Sequence, residues 1–265
     1  MNKILPAYDV HPITVKMLRR GHPWIIKDKF TEKFHPRDRF IVAKDRRKPF
    51  ALLIHDPRHK HVKARLWASQ GDFGAMIKNF RRDMVQRIQK AITKRKQKNI
   101  LSERQNFYLV FGEADQLPGV HVQYLNGELL VQFYSYFWDA YTDYFIDNLL
   151  KTVNKVLELE VFKGNVWVQH RADGDSTQQK AKSLDPNISF RKIEVQEFGV
   201  NYNVELGKHY DCGLYTDMAA IRRVLAKDFE NADSFLNLYS YTGAFSLFAL
   251  KHKVSDVVSV DLSEK

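Results

Sequence analysis

The sequence predicts a multidomain α/β protein: a small N-terminal β-barrel over residues 1–70, a central α+β domain with a β-hairpin over 71–190, and the start of a Rossmann-like domain over 191–265. Three observations predict it. Short β-branched and aromatic segments recur about every ten residues between His11 and Trp67. Asn126-Gly127 separates two alternating runs, the strongest short-range hairpin signal. The stretch from Phe235 onward, FLNLYSYTGAFSLFAL followed by DVVSVDL, reads as strand, tight turn, helix, strand. At 265 residues the chain exceeds the usual single domain, and two or three are expected.

In chain order, PITVKML, PWIIKDKF, DRFIVAKD, PFALLIHD and HVKARLWA read as the barrel strands, punctuated by Gly21, Pro23, Pro36, Pro49 and Pro57. Asp72 is placed to cap one long helix whose apolar stripe runs Phe73, Met76, Ile77, Phe80, Met84, Ile88, Ile92. Its other face carries Lys78, Arg81, Arg82, Arg87 and Lys90, and it ends in the basic run KRKQK at 94–98. That run reads as a solvated helix end, with direct RNA contact as the alternative. The hairpin GVHVQYLNGELLVQFYSYF follows at 119–137, then a helix over 139–158, a strand in VFKGNVWVQH, a polar loop over 170–190, and a second β-rich stretch, RKIEVQEFGVNYNVEL. The run from Ser234 to Tyr239 suits a buried strand and AFSLFAL a helix, with Asp261 ending the last strand.

Composition narrows the function classes. Hydrophobic residues make up 44% and aromatics 13%, so the chain is globular. A single cysteine, Cys212, excludes an internal disulfide framework and suits a reducing compartment. Neither a signal peptide nor a membrane-spanning run is apparent, which makes a cytoplasmic location the expectation. The net charge of +11 divides unevenly. Residues 1–100 carry 26 Lys/Arg against 8 Asp/Glu, a balance of +18, whereas 101–265 carry 16 against 23, a balance of −7. A basic half favours a polyanionic partner, because cations that neutralise phosphates release counterions; a lysine-rich solvated surface is the competing explanation.

The S-Y-T-G turn narrows the ligand. Asp261 lies 18 residues after Gly243, where a carboxylate at the end of the neighbouring strand can accept from ribose hydroxyls. Dinucleotide sites want three glycines so that backbone approaches a pyrophosphate. Only Gly243 is present, with Tyr239 and Tyr241 where glycine would be needed. An adenosyl ligand without phosphates, S-adenosylmethionine, is the better match; NAD or FAD, or a ligand-free α/β core, are the alternatives.

Four stretches, in order along the chain, carry a resemblance to a known family: RRGHPWIIKDKF (19–30), GEADQLPGVHVQYLNGELLVQF (112–133), VELGKHYDCGLYTDMAAIR (204–222), and NLYSYTGAFSLFAL with VVSVDLSEK. Together they resemble RNA cytosine-5 methyltransferases of the large-subunit ribosomal RNA type, in which a PUA domain precedes a class I methyltransferase domain. The resemblance implies S-adenosylmethionine as cofactor, a cofactor loop of Asn237, Ser240, Tyr241, Thr242 and Gly243, and Asp261 on the ribose. It places Tyr215, Asp217 and Arg222 in the segment closing over the methionine end, and Arg19, Arg20, His22 and Trp24 as RNA contacts. The family usually shows Asp-Gln-Arg where this chain has Asp217-Met218-Ala219, which removes polar contacts there.

By the same resemblance, carbon-5 methylation uses a cysteine thiolate and an Asp-Pro-Pro loop; neither follows, and both are expected beyond Lys265. Cys212 as nucleophile is set against a buried structural cysteine, with His209 as a neighbour able to lower its pKa. The two strands of the Rossmann-like unit and the resemblance predict a piece of a protein roughly 130 residues longer, binding cofactor weakly and inactive by itself. The expected partner is RNA, ribosomal RNA first, with a homodimer as an option and neither membrane nor metal. A non-catalytic RNA-binding protein with a vestigial adenosyl-binding unit, and a nicotinamide-dependent oxidoreductase, are the competing functions.

Overall fold

The computed structural model describes residues 5–172 and 179–262; part of the polar loop expected over 170–190 lies outside the described residues. In the N-terminal part β1 (Ala7–Asp9), β2 (Trp24–Ile26), β3 (Phe40–Asp45), β4 (Lys48–His55) and β5 (Val62–Ala68) pair in the order β1-β3-β4-β5-β2. Only β1–β3 is parallel. The two outer strands have three residues each, and the pairing order is that of an open sheet with short edges.

The segment PITVKML, expected as a strand, is helix α1 (Pro12–Arg19). Pro12 sits in its first turn, where a missing amide is harmless, and the His11 ring accepts from the Ile13 amide. Val15 and Leu18, one turn apart, are buried against Ile41, Ala43, Ala51, Leu53 and Ala64. Alternate residues Val42, Leu52 and Ile54 point the other way, into the main core. Both faces of this sheet are therefore covered.

That main core fills the space between the first sheet, the helices α3 (Phe80–Gln97) and α4 (Thr142–Leu157), and a second sheet ordered β10-β9-β8-β7-β6. Its strands are β6 (Asn106–Phe111), β7 (Val120–Leu125), β8 (Glu128–Phe133), β9 (Val166–His170) and β10 (Lys182–Ser183). The β7–β8 hairpin turns on Asn126 (φ 44°) and Gly127 (φ 93°), as its sequence predicts. The parallel pair β8–β9 is joined through α4. The stripe Phe80, Met84, Ile88, Ile92 is buried, each side chain contributing about 1.5–3 kcal/mol.

Two expectations for this helix are corrected. Asp72 does cap, accepting from the Ala75 amide, but the helix breaks at Asn79 into α2 (Phe73–Lys78) and α3. The basic tail expected to be solvated is also partly internal, as is the face that leads to it. Arg87 lies 3.7 Å over the Trp67 ring, donates to the Trp67 and Gln116 carbonyls, and pairs with Asp83; Arg95 pairs with Asp115.

Polar contacts bind the two sheets together. Arg65 donates to Glu113 at 2.9 Å and to the Tyr134 carbonyl at 3.0 Å, while Asp56 accepts from Ser135 and from the Tyr136 amide, both at 2.8 Å. The C-terminal part begins with the hairpin β11 (Arg191–Glu197) and β12 (Val200–Leu206), whose inner face joins Trp167, Leu125 and Ala244 in a second core. Helix α5 (Ala219–Phe229) leads to β13 (Ser234–Leu238), α6 (Ala244–Lys251) and β14 (Asp256–Val260), with β13 and β14 parallel. This is the expected βαβ unit. The strand expected to be buried is largely exposed: Leu236, Leu238, Val258 and Val260 face outward, and only Asn237 of β13 is buried.

Candidate functional site

The turn after β13 is built from left-handed backbone at alternate positions: Tyr239 (φ 56°), Tyr241 (φ 52°) and Gly243 (φ 76°). Side-chain-bearing residues adopt this conformation at a cost of roughly 1–2 kcal/mol each, so the surroundings must fix the turn. They do so at four points. The Ser240 amide donates to the Val260 carbonyl at 3.0 Å and the Gly243 amide to the Ser240 carbonyl at 2.8 Å. Thr242 Oγ1 donates to the Gly213 carbonyl at 2.6 Å, and the Tyr241 amide donates to Asp261 Oδ2 at 2.8 Å. Asp261 and the turn thus form one unit across the ends of the two parallel strands. A Cβ added at Gly243 would meet nothing within 4 Å, so the space over the turn is open.

A cavity of about 700 Å3 opens beside this unit, bounded by Tyr241, Thr242 and Asp261 on one side and by the 208–213 loop with Lys192, Asn203 and Glu205 on the other. A second chamber of about 60 Å3 shares Asp211, Cys212 and Tyr241 with it and runs back to Tyr108, Tyr134, Arg171 and Tyr215. The Tyr215 and Tyr241 rings stand 5.0 Å apart between the two. Burial, then the carboxylate of Asp211, pushes the Tyr241 phenol up to about 12, so the hydroxyl stays neutral near pH 7. Arg171 is held by Asp211 and the Tyr210 carbonyl, both at 2.8 Å, and stacks on the Tyr210 ring at 4.0 Å.

The predicted residues divide. Ser240, Tyr241, Thr242, Gly243 and Asp261 come together at the turn, and Tyr215 joins them through its ring. Asp217 is exposed nearby in the short 3-10 turn before α5. Asn237 points into the α/β core, donating to Ser246 Oγ at 2.9 Å, and Ser246 bonds Ser259 in turn. Arg222 is 1% exposed and makes a two-pronged pair with Glu197 at 2.6 and 3.0 Å. Its guanidinium anchors α5 to β11. Cys212 is buried, its thiol pushed up by that burial, and its Sγ faces the Leu214 carbonyl. His209 lies by Glu205 at 3.5 Å, and no hydrogen bond between His209 and the thiol is found among the described residues.

In the basic part, Arg19 pairs with Asp45 at 2.8 Å, and the His22 ring packs edge-on against Trp24. Trp24 is 43% exposed and donates to Glu113 at 2.6 Å, tying β2 to the second sheet. Sequence reasoning missed Tyr108, Tyr134, Arg171 and Asp211. The available signal was glutamine at inward strand positions: Gln123, Gln132 and Gln169 are buried and linked at 3.2 and 2.9 Å, leading to Arg171. Among the described residues no group of three or more His, Cys, Asp or Glu is arranged to hold a metal ion, and no helix is long and apolar enough to cross a membrane.

Residues 162–265 match the family model described as S-adenosylmethionine-dependent methyltransferase, a family whose cofactor is S-adenosylmethionine. A ribosomal RNA large subunit methyltransferase I from Alteromonas mediterranea is 27% identical over 264 residues, covering 96% of this chain and 62% of the relative. Its counterpart in Aliivibrio fischeri is 26% identical, covering 94% and 61%. The chain thus spans about three fifths of the length of these relatives. A solved structure described as a SAM-dependent methyltransferase of Streptococcus mutans superposes with a TM-score of 0.76 at 18% identity, over 98% of this chain and 64% of that one. A second, described as a methyltransferase complexed with SAH, gives 0.74 at 18% identity over 98% and 63%. At that identity the likeness is one of fold.

Proposed function

We propose that the chain is the cofactor- and RNA-binding part of an S-adenosylmethionine-dependent RNA methyltransferase acting on large-subunit ribosomal RNA, with carbon 5 of a cytosine as the methylated position. The observation that carries this reading is the glycine-poor turn closed by Asp261, which opens on a cavity of ligand size within the stretch that matches the methyltransferase model. The residues suit the group. The cavity volume falls in the range of small-ligand sites, the turn offers open space above Gly243, and a carboxylate stands at the carboxyl end of the strand.

When bound, S-adenosylmethionine supplies an electrophilic methyl group on sulfur. The chain's own residues do the rest. Asp261 steadies the Tyr241 amide and would accept from ribose hydroxyls, and Tyr241 and Tyr215 would offer the cofactor aromatic faces and neutral hydroxyls. Thr242 ties the 208–213 loop to the turn and so keeps the cavity's two walls in register. Residues 1–70 act as a PUA-like RNA-binding domain, 71–190 as a central α+β domain, and 191–265 as part of the methyltransferase domain. Relatives named for large-subunit ribosomal RNA methylation, and the +18 balance of the first hundred residues, support an RNA substrate.

Titration calorimetry with S-adenosylhomocysteine and with NAD tests the ligand assignment. The homocysteine ligand is expected to bind at least about tenfold more tightly, because the turn offers no three-glycine approach to a pyrophosphate. NAD binding as tightly or more tightly would overturn the assignment.

A further inference from the structure

Among the described residues, three two-residue hairpin turns need left-handed backbone at both positions. Two of them place glycine second: Asn126-Gly127 (φ 44° and 93°) and Phe198-Gly199 (φ 48° and 75°). The third, between β3 and β4, is Arg46-Arg47, with φ of 50° and 69°. Neither residue suits that backbone. A turn that gives up its best-fitting residues for two exposed cations has some other use for them.

The position of the turn shows what that use is. Arg46 and Arg47 line one wall of a cleft of about 810 Å3 whose opposite wall is the last turn of α1, with Lys16, Arg19 and Arg20. Lys44 lies between the walls, and Phe30 supplies an apolar surface. Six cations meet two carboxylates here: Asp45 is engaged by Arg19 at 2.8 Å and Asp9 by Lys44 at 3.7 Å. Among the described residues, Lys16, Arg20, Arg46 and Arg47 pair with no carboxylate. Like charges gathered on facing walls repel one another unless an anion lies between them.

Resting on the RNA-binding reading above, we infer that the cleft between α1 and the Arg46-Arg47 turn is the phosphate-gripping site for the RNA backbone, with the two turn arginines as one of its walls. Five of the six cations are exposed, Lys44 is half-buried, and the cleft is open, which suits neutralisation of phosphates along a strand rather than readout of bases. It also moves the RNA contact away from His22 and Trp24, where His22 Nδ1 is engaged with the Trp24 backbone and Trp24 Nε1 with Glu113.

The test uses the full chain and an RNA hairpin of mixed sequence, with affinity measured across a salt series. The double substitution Arg46→Asn, Arg47→Gly installs the turn residues the backbone prefers, so its unfolding midpoint should rise by about 3–6 °C. Its RNA affinity at low salt should fall at least about tenfold, and the slope of log affinity against log salt should shrink by about 2. Arg19→Ala with Arg20→Ala, on the opposite wall, should shrink the slope similarly without the thermal gain. A turn variant that keeps the parent slope would overturn the cleft while leaving RNA binding in place. A parent chain with no salt-dependent RNA affinity would overturn the RNA reading itself. Equal, arginine-dependent binding to phosphatidylglycerol vesicles would assign the cleft to a lipid surface and also overturn the inference.

Discussion

Replacing Arg222 by alanine is expected to destabilise the fold by about 3–5 kcal/mol, which lowers the unfolding midpoint by roughly 6–20 °C. Glu197 is fully buried and takes both prongs of Arg222 as well as the Asn106 amide at 2.7 Å. Truncating the arginine leaves a carboxylate inside the protein without its hydrogen-bonded countercharge, with Arg104 as a cation close by. The cost is far larger than the pair's net worth, because desolvation of both ions has already been met in the folded state. Arg223→Ala is the internal comparison. Its pair with Glu103 is exposed, and exposed pairs contribute about 0–1 kcal/mol. Urea unfolding of the two variants measures the difference; a loss below about 1 kcal/mol for Arg222→Ala would contradict the account of this pair as the anchor of α5.

Gly207→Ala is expected to cost a similar amount for a different reason. The glycine has φ +83°, and a Cβ there would stand 2.3 Å from the Ser189 carbonyl oxygen and 2.7 Å from the Trp167 ring. One obstacle is backbone and the other a fully buried indole, so neither yields cheaply. Overpacking and left-handed strain together suggest about 2–6 kcal/mol. Gly213 makes the contrast, since a Cβ there would meet only ordinary contacts at 3.7 and 4.0 Å. Thermal unfolding should therefore show Gly207→Ala well below Gly213→Ala. Equal midpoints would mean that the 207 region rearranges freely and does not hold the cavity's wall.

The parts of the fold legible in the sequence were those fixed by local chemistry. Asn126-Gly127 announces its hairpin because both positions need left-handed backbone. The βαβ order around the S-Y-T-G turn was legible for the same kind of reason. What was not legible depended on which side of an element faced the interior. PITVKML was expected as a strand from its β-branched residues, although His11 and Pro12 were the start signals of a helix. Asn237 was expected at the ligand, yet the alternation along β13 turns it toward Ser246 and sends Leu236 and Leu238 outward. Arg95 was expected in contact with solvent or RNA and Arg222 with the cofactor. Their carboxylate partners lie 20 and 25 residues away, and long-range pairing of that kind leaves no mark in periodicity. The buried glutamines leading to Arg171 escaped notice for the opposite reason: each looks like an ordinary outward strand residue until the register places it inside.

The proposed adenosyl site is the turn at Tyr239–Gly243 together with Asp261. Asp261→Asn tests it most directly, because asparagine keeps an oxygen for the Tyr241 amide while removing the charge offered to a ribose. The account predicts that S-adenosylhomocysteine binds the variant about 10- to 100-fold more weakly in calorimetric titration, with the unfolding midpoint unchanged. Equal affinity in the variant and the parent chain would contradict it.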